Sequence, residues 1–382
     1  MKHRISYLVL AAILFLYVAA SESADLASSV TGPTEAKPSE PATARIDDLD
    51  RRLITPLYHV YYTIDGDNAF GTPGNVEHGH YKAERLVEQF ERGRRFYEIT
   101  LGLDFLLGRG RFADIPQIDV RVAALPRRIM GNAGGGRFEV NRNPRFYGED
   151  SPAPKNLRMN ISTLWREGNL TPEHEVFHLF QYGYSFIANT WYLEGLTGSL
   201  APAFAAPRAH TYRTAKLPQT KEELHALLTL PNGLAPAWGC WGRLMAHCED
   251  SCPIAWGEQE KFTIQDERPI CSSKFVNGFM SALRDNSSTV TALRGGAAYD
   301  PWTQPRRKPG DNAPTERGRF ENNYWLLKSV SQAMDSSCQY RDDSELVEFK
   351  RLIDGLGDSE QGFMRAMTPQ ETTPTPSDME KS

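Results

Sequence analysis

The sequence predicts an α+β protein, with a mixed sheet and helices in its first half and a mostly helical second half. Three observations point there. Strand-like and helix-like segments alternate between residues 57 and 184. Helical patterns dominate after Pro207. Two stretches poor in bulky apolar groups, 21–50 and 367–382, bracket the region, and such segments cannot bury enough surface to offset their ordering entropy. The folded body is therefore expected over 51–366, with a sheet-and-helix half (51–184) and a helical half (185–366).

The elements follow in order. Leu57–Ile64 is rich in β-branched and aromatic residues, a strand. Tyr81–Gly102 places Leu86, Phe90, Phe96 and Ile99 on a rough helical stripe and closes on Gly102. Gln117–Leu125 reads as a second strand. Gly131–Asn141 is a glycine-rich turn running into a short strand at Gly136–Asn141. Asn156–Thr163 alternates Leu157, Met159 and Ile161, a further strand. Later, 220–230, Glu321–Met334 and 344–357 read as helices, and the cysteine-rich stretch 238–271 as an irregular insertion.

Ahead of the body, Lys2, His3 and Arg4 precede the apolar run Ile5–Ala20. Basic residues, a short apolar run and small residues make a secretory signal peptide over 1–20, cleaved near Ala20. The run is shorter than the ~20 residues a bilayer span prefers, so cleavage is favoured over a retained anchor. No other segment is long and apolar enough to span. The expected location is secreted or periplasmic, with 21–50 a disordered linker and 367–382 a disordered tail.

The chain carries 43 basic and 48 acidic residues, a formal charge of −5. That leaves no electrostatic footprint for nucleic acid. Four of five cysteines, Cys240, Cys248, Cys252 and Cys271, lie in one short region, which in an oxidising compartment implies one or two disulfides. Cys338 is then the odd thiol, or pairs into the cluster and frees another. Metal binding by Cys240, His247, Cys248 and Cys252 is the minor alternative, because the spacing fits no common zinc knuckle.

The stretch "LTPEHEVFHLFQYG" carries the chemistry. Thr171 reads as an N-cap and Pro172 as the first helical residue. Inside the helix, His174-Glu175-Val176-Phe177-His178 spells H-E-x-x-H. At 100° per residue the two histidines lie about 40° apart, on one face, where both imidazoles can reach one ion. Glu175 sits beside them, placed to deprotonate a water without ligating the metal. A catalytic zinc wants three protein ligands and one open position. Glu194, in the helical segment Trp191–Phe204 after a short turn, can be the third. Gln181 shares the histidines' face and is either a partner of a ligand or an ordinary polar residue near a helix end. His78 and His80 form an H-x-H that precedes a helix and reads as capping or solvent-facing.

The pattern H-E-x-x-H-x-x-Q followed by W-x-x-E-G resembles the gluzincin group of zincin metallopeptidases, in particular secreted bacterial zinc peptidases. It is also similar to aminopeptidases whose third ligand lies in W-L-x-E-G-x-A; Trp191, Glu194 and Gly195 match. The resemblance covers His174 to about Ser199. It implies a zincin-like fold, in which the sheet roofs a cleft, an antiparallel edge strand (here Gly136–Asn141) lines it, and the H-E-x-x-H helix forms its floor. It implies one Zn²⁺ per chain held by His174, His178 and Glu194, with Glu175 as general base, hydrolysing a peptide or protein substrate. Three features depart from it. Fifteen residues separate His178 from Glu194, fewer than in the best-known members. Gly198 stands where thermolysin-like enzymes carry an acid that orients a ligand histidine. The exopeptidase motif G-x-M-E-N is missing, which favours an endopeptidase or a specificity that the sequence does not define. No spacing selects an oxyanion donor among Tyr212, His225 and His247. The alternative function is a secreted or surface binding protein with a degenerate, non-proteolytic site.

Overall fold

The structure is a computed structural model. It describes residues 48–125 (without 106 and 114), 131–132, 138–140, 155–204, 215–248 (without 232), 273–294, 319–338 and 343–368. The expected signal peptide, the tail beyond Thr368, most of the linker, Tyr212, Cys252 and Cys271 lie outside these residues.

The architecture is mixed α+β. Six strands form one sheet: β1 (Arg51–Ile54), β2 (Tyr58–Tyr62), β3 (Ile118–Ala123), β4 (Gly131–Asn132), β5 (Phe138–Val140) and β6 (Lys155–Ser162). The order is β1-β2-β3-β6-β4, with β5 also on β6. β2, β3 and β6 run parallel; β1 closes one side and the short β4 and β5 the other, all three antiparallel to their neighbours. The antiparallel pairing of Phe138–Val140 with β6 lies within the expected Gly136–Asn141 strand. β1 was not foreseen: its four residues alternate half-buried and exposed and include only two apolar side chains.

The parallel β2–β3 pair needs a crossover, and helix α1 (Val76–Arg95) lies within it. α1 starts five residues before the expected Tyr81. Asn75 caps it by accepting from the His78 N–H, and His78 Nδ1 in turn accepts from the Thr72 N–H at 3.0 Å. The apolar stripe is silent about this first turn, because it buries Gly79 rather than a large side chain. A π-helical turn, Phe96–Thr100, then shifts the helical phase. Phe96 is buried as expected, whereas Ile99 is turned out, 41% exposed. Gly102, at φ +64°, ends the element in the left-handed region that favours glycine.

Nine helices are described in all. After α1 come α2 (Thr171–Tyr184), α3 (Thr190–Leu200), α4 (Lys221–Thr229), α5 (Ala235–His247), α6 (Ser273–Leu293), α7 (Asn322–Ser337), α8 (Ser344–Asp354) and α9 (Glu360–Met367). One hydrophobic cluster runs from Tyr58 to Met367 through both halves. No described helix is long and apolar enough to cross a membrane.

Three expectations are corrected. Thr171 is not the N-cap: the helix begins on it, and Asn169 Oδ1 accepts the Thr171 N–H at 2.9 Å instead. The stretch 238–271 is not irregular at its start, because α5 carries it to His247 behind Pro236 in the helix's first turn; its remainder beyond Cys248 is outside the described residues. The folded body also extends slightly past both expected limits, with Leu49 and Met367 buried.

A disulfide joins Cys248 to Cys338, while Cys240 is a buried free thiol. Cys338 thus pairs into the cluster and frees another cysteine, the second of the two expected arrangements. Burial pushes the Cys240 thiol up to about 12.

Candidate metal centre

α2 is held in place at its first turn. Glu173 is fully buried, and its carboxylate accepts from Gln89 Nε2 (3.0 and 3.1 Å) and from the Arg92 guanidinium, both on α1. Tyr97 donates its hydroxyl to the Glu173 carbonyl at 3.0 Å. The two helices touch so closely that a Cβ on Gly93 would lie 3.0 Å from the Glu173 Cα. The next residue is His174.

The two histidines and Glu194 converge. His178 Nε2 lies 3.0 Å from His174 Nε2 and 3.3 Å from Glu194 Oε1, and His174 Nε2 lies 3.1 Å from Glu194 Oε2. The imidazole planes cross at 87°. Tetrahedral zinc with bonds of about 2.0–2.1 Å sets its ligands about 3.4 Å apart. Two imidazole nitrogens and the two oxygens of one carboxylate at these separations could share such an ion. Among the described residues this is the one His/Cys/Asp/Glu group whose ligand atoms could share a metal.

Gln181 is a hydrogen-bond partner of His178. Its Oε1 accepts from His178 Nδ1 at 2.7 Å, and its Nε2 donates to the Leu193 carbonyl at 3.2 Å. Thr197 Oγ1 lies 3.0 Å from the same Gln181 oxygen. In its neutral form His178 therefore carries its proton on Nδ1, which turns Nε2 to the centre. Glu175, next to His174 in the chain, is buried, 5% exposed.

The electrostatics agree with a cation site. Burial alone would lower the His178 pKa. The Glu194 carboxylate, followed by Glu175 and Gln181, reverses this and holds it at about 9. Burial would raise Glu194, yet the two imidazoles hold it well below the usual carboxylate range. The cage favours a positive charge, here a proton.

α3 carries two glycines in mid-helix, each costing about 1 kcal/mol relative to alanine. Both admit indoles from α5. A Cβ on Gly195 would lie 2.8 Å from Trp241 Cδ1, and one on Gly198 would lie 2.6 Å from Trp238 Cδ1. No acid stands at 198 because Trp238 fills that space.

Of the expected oxyanion candidates, His225 alone has a described side chain. His225 packs its ring against Phe320, with centroids 5.6 Å apart. Tyr212 and the His247 side chain lie outside the described residues. His78, in the first turn of α1, is bonded to Thr72 through its Nδ1. Trp238 is the residue that sequence reasoning missed.

No family model, no curated protein and no solved structure matches this chain.

Proposed function

We propose that the chain is an exported, zinc-dependent peptidase of the gluzincin type, with a zincin-like arrangement of sheet and helices. The observation that carries this reading is the convergence of His174, His178 and Glu194 at zinc-ligand separations, with Gln181 behind His178. These three residues would hold the ion. When bound, zinc supplies a Lewis acid that acidifies a water and polarises a carbonyl. Glu175, beside the ligands and shielded from solvent, takes the water's proton and passes it to the leaving amine. A peptide in extended form pairs with the sheet edge at β4 and β5. The export segment Lys2–Ala20 and the Cys248–Cys338 disulfide support an oxidising compartment.

The test combines metal analysis with Glu175→Gln. Purified protein is expected to hold one zinc per chain. Glu175→Gln should keep the zinc and lose peptide hydrolysis by about 10²–10⁴-fold. Protein without zinc would overturn the reading. Zinc-loaded wild type that cleaves nothing in a broad peptide library would favour the non-proteolytic alternative.

A further inference from the structure

The helix that bears Glu194 is gripped from outside by α5 in a regular way. Trp241 Nε1 donates to the Trp191 carbonyl at 2.9 Å, and Trp238 Nε1 donates to the Glu194 carbonyl at 3.1 Å. The step is three residues on both helices, taken in opposite directions. Ser199 Oγ returns a contact to the Trp238 carbonyl at 2.8 Å. The far rung is deep in the core: Trp241 and Trp191 are both buried and stack at 5.4 Å, 12° from parallel. The near rung differs. Trp238 is half-buried, as are Glu194 and Gly198. It binds the main chain of the carboxylate residue itself and lies across Gly198, one turn further on.

We propose that Trp238 is a positioning residue of the metal centre: its indole N–H, admitted by Gly198, sets the height and rotation of α3 and so the reach of the Glu194 carboxylate toward His174 and His178. This rests on the metal-centre reading above. The two rungs divide their labour. Trp241 packs the core, three residues from the ligand, whereas Trp238 acts at the ligand. Any side chain at 198 lifts the indole off the helix and releases the hydrogen bond to residue 194.

The test measures zinc affinity, by competition with a chromophoric chelator, for wild type, Trp238→Phe and Trp241→Phe, beside thermal melting of the metal-free proteins. Phe at 238 keeps most of the packing and removes the donor. Trp238→Phe should weaken zinc binding about tenfold, the scale for residues that orient a ligand. It should also shift the visible absorption of the cobalt-substituted protein while leaving metal-free melting close to wild type. Trp241→Phe should lower the melting temperature and leave zinc affinity within about twofold. Gly198→Ala is the second variant, because it favours the helix yet displaces the indole. It should weaken zinc in the same way. Wild-type zinc affinity and cobalt spectrum in Trp238→Phe would overturn this inference alone. Loss of folding in both Trp238→Phe and Gly198→Ala would reduce Trp238 to a structural wedge and overturn it too. A wild type that binds no zinc would instead overturn the metal-centre reading, and this inference with it.

Discussion

Gln181 Oε1 lies 2.7 Å from His178 Nδ1, three residues along the same helix. One amide thus accepts a hydrogen bond from the histidine's Nδ1–H and, through its nitrogen, ties α2 to the Leu193 carbonyl of α3. Replacing Gln181 by Leu removes both functions while filling similar space. Zinc affinity should fall about 10–100-fold, read by chelator competition. Gln181→Glu keeps the acceptor and should retain more of the affinity. Equal loss in the two variants would point to packing rather than to the hydrogen bond.

The Arg92–Glu173 pair is asymmetric. The Glu173 side chain is 1% exposed and that of Arg92 30%. Removing Arg92 strands a carboxylate; removing Glu173 leaves a cation that can turn to water. Arg92→Met should therefore cost about 3 kcal/mol at neutral pH, more than Glu173→Leu, measured by urea unfolding. Burial already raises the Glu173 pKa, with Arg92 opposing it. Without Arg92 the carboxyl takes up a proton more readily in the fold than in the unfolded chain. The deficit of Arg92→Met should accordingly shrink as the pH is lowered.

His59 is a pH-sensitive point in the sheet. It is 7% exposed, and burial, followed by the charge of Arg52, lowers its pKa from the usual 6.5. Its nearest carboxylate, Asp119, stands off at 3.9 Å. Well above pH 6.5 the ring is neutral in both states and contributes no slope. Below it the unfolded chain binds a proton that the fold resists, so stability falls until the folded pKa is passed. Urea midpoints across this range should decline with acid in the wild type and decline less in His59→Phe.

The cysteines should separate cleanly in peptide mapping. Non-reduced digests should contain a Cys248–Cys338 cross-link. Cys240, whose thiol is pushed up to about 12, should resist alkylation in the native protein and react once it is unfolded. Cys338→Ser should lower stability by about 2–4 kcal/mol, because the bridge closes a long loop. Rapid native labelling of Cys240 would contradict its burial.

How much was legible depended on how local each signal was. The two histidines follow from one helix's geometry, so a short window placed them on one face. Glu194 needed only the next helix. Gln181 was visible on that face, but its role turns on carbonyls of the following helix, which spacing does not display. Trp238 is 44 residues from its partner Glu194, and nothing in its own neighbourhood marks it. α6 went unread for another reason. Its "DNSSTVT" segment has loop composition, yet Asn286 is buried and donates to Ser329 Oγ on α7. Polar residues that bond across a helix pair look like a turn when only one helix is in view. Asn286-Ser287-Ser288 also spells a glycosylation sequon, and the same burial withdraws Asn286 from that surface modification.

Gly93 has a reach beyond its own helix. α1 has no side chain there, and the space goes to Glu173, whose peptide bond leads straight into His174. Scaffold and candidate metal centre are thus joined by a single covalent step, with no slack loop between them. Thermostabilising changes along the α1–α2 seam should register as changes in metal affinity, and selection for one property will drag the other with it. A designer wishing to harden this protein without detuning it would leave that seam alone and work on the far side of the helical half, around α8 and α9.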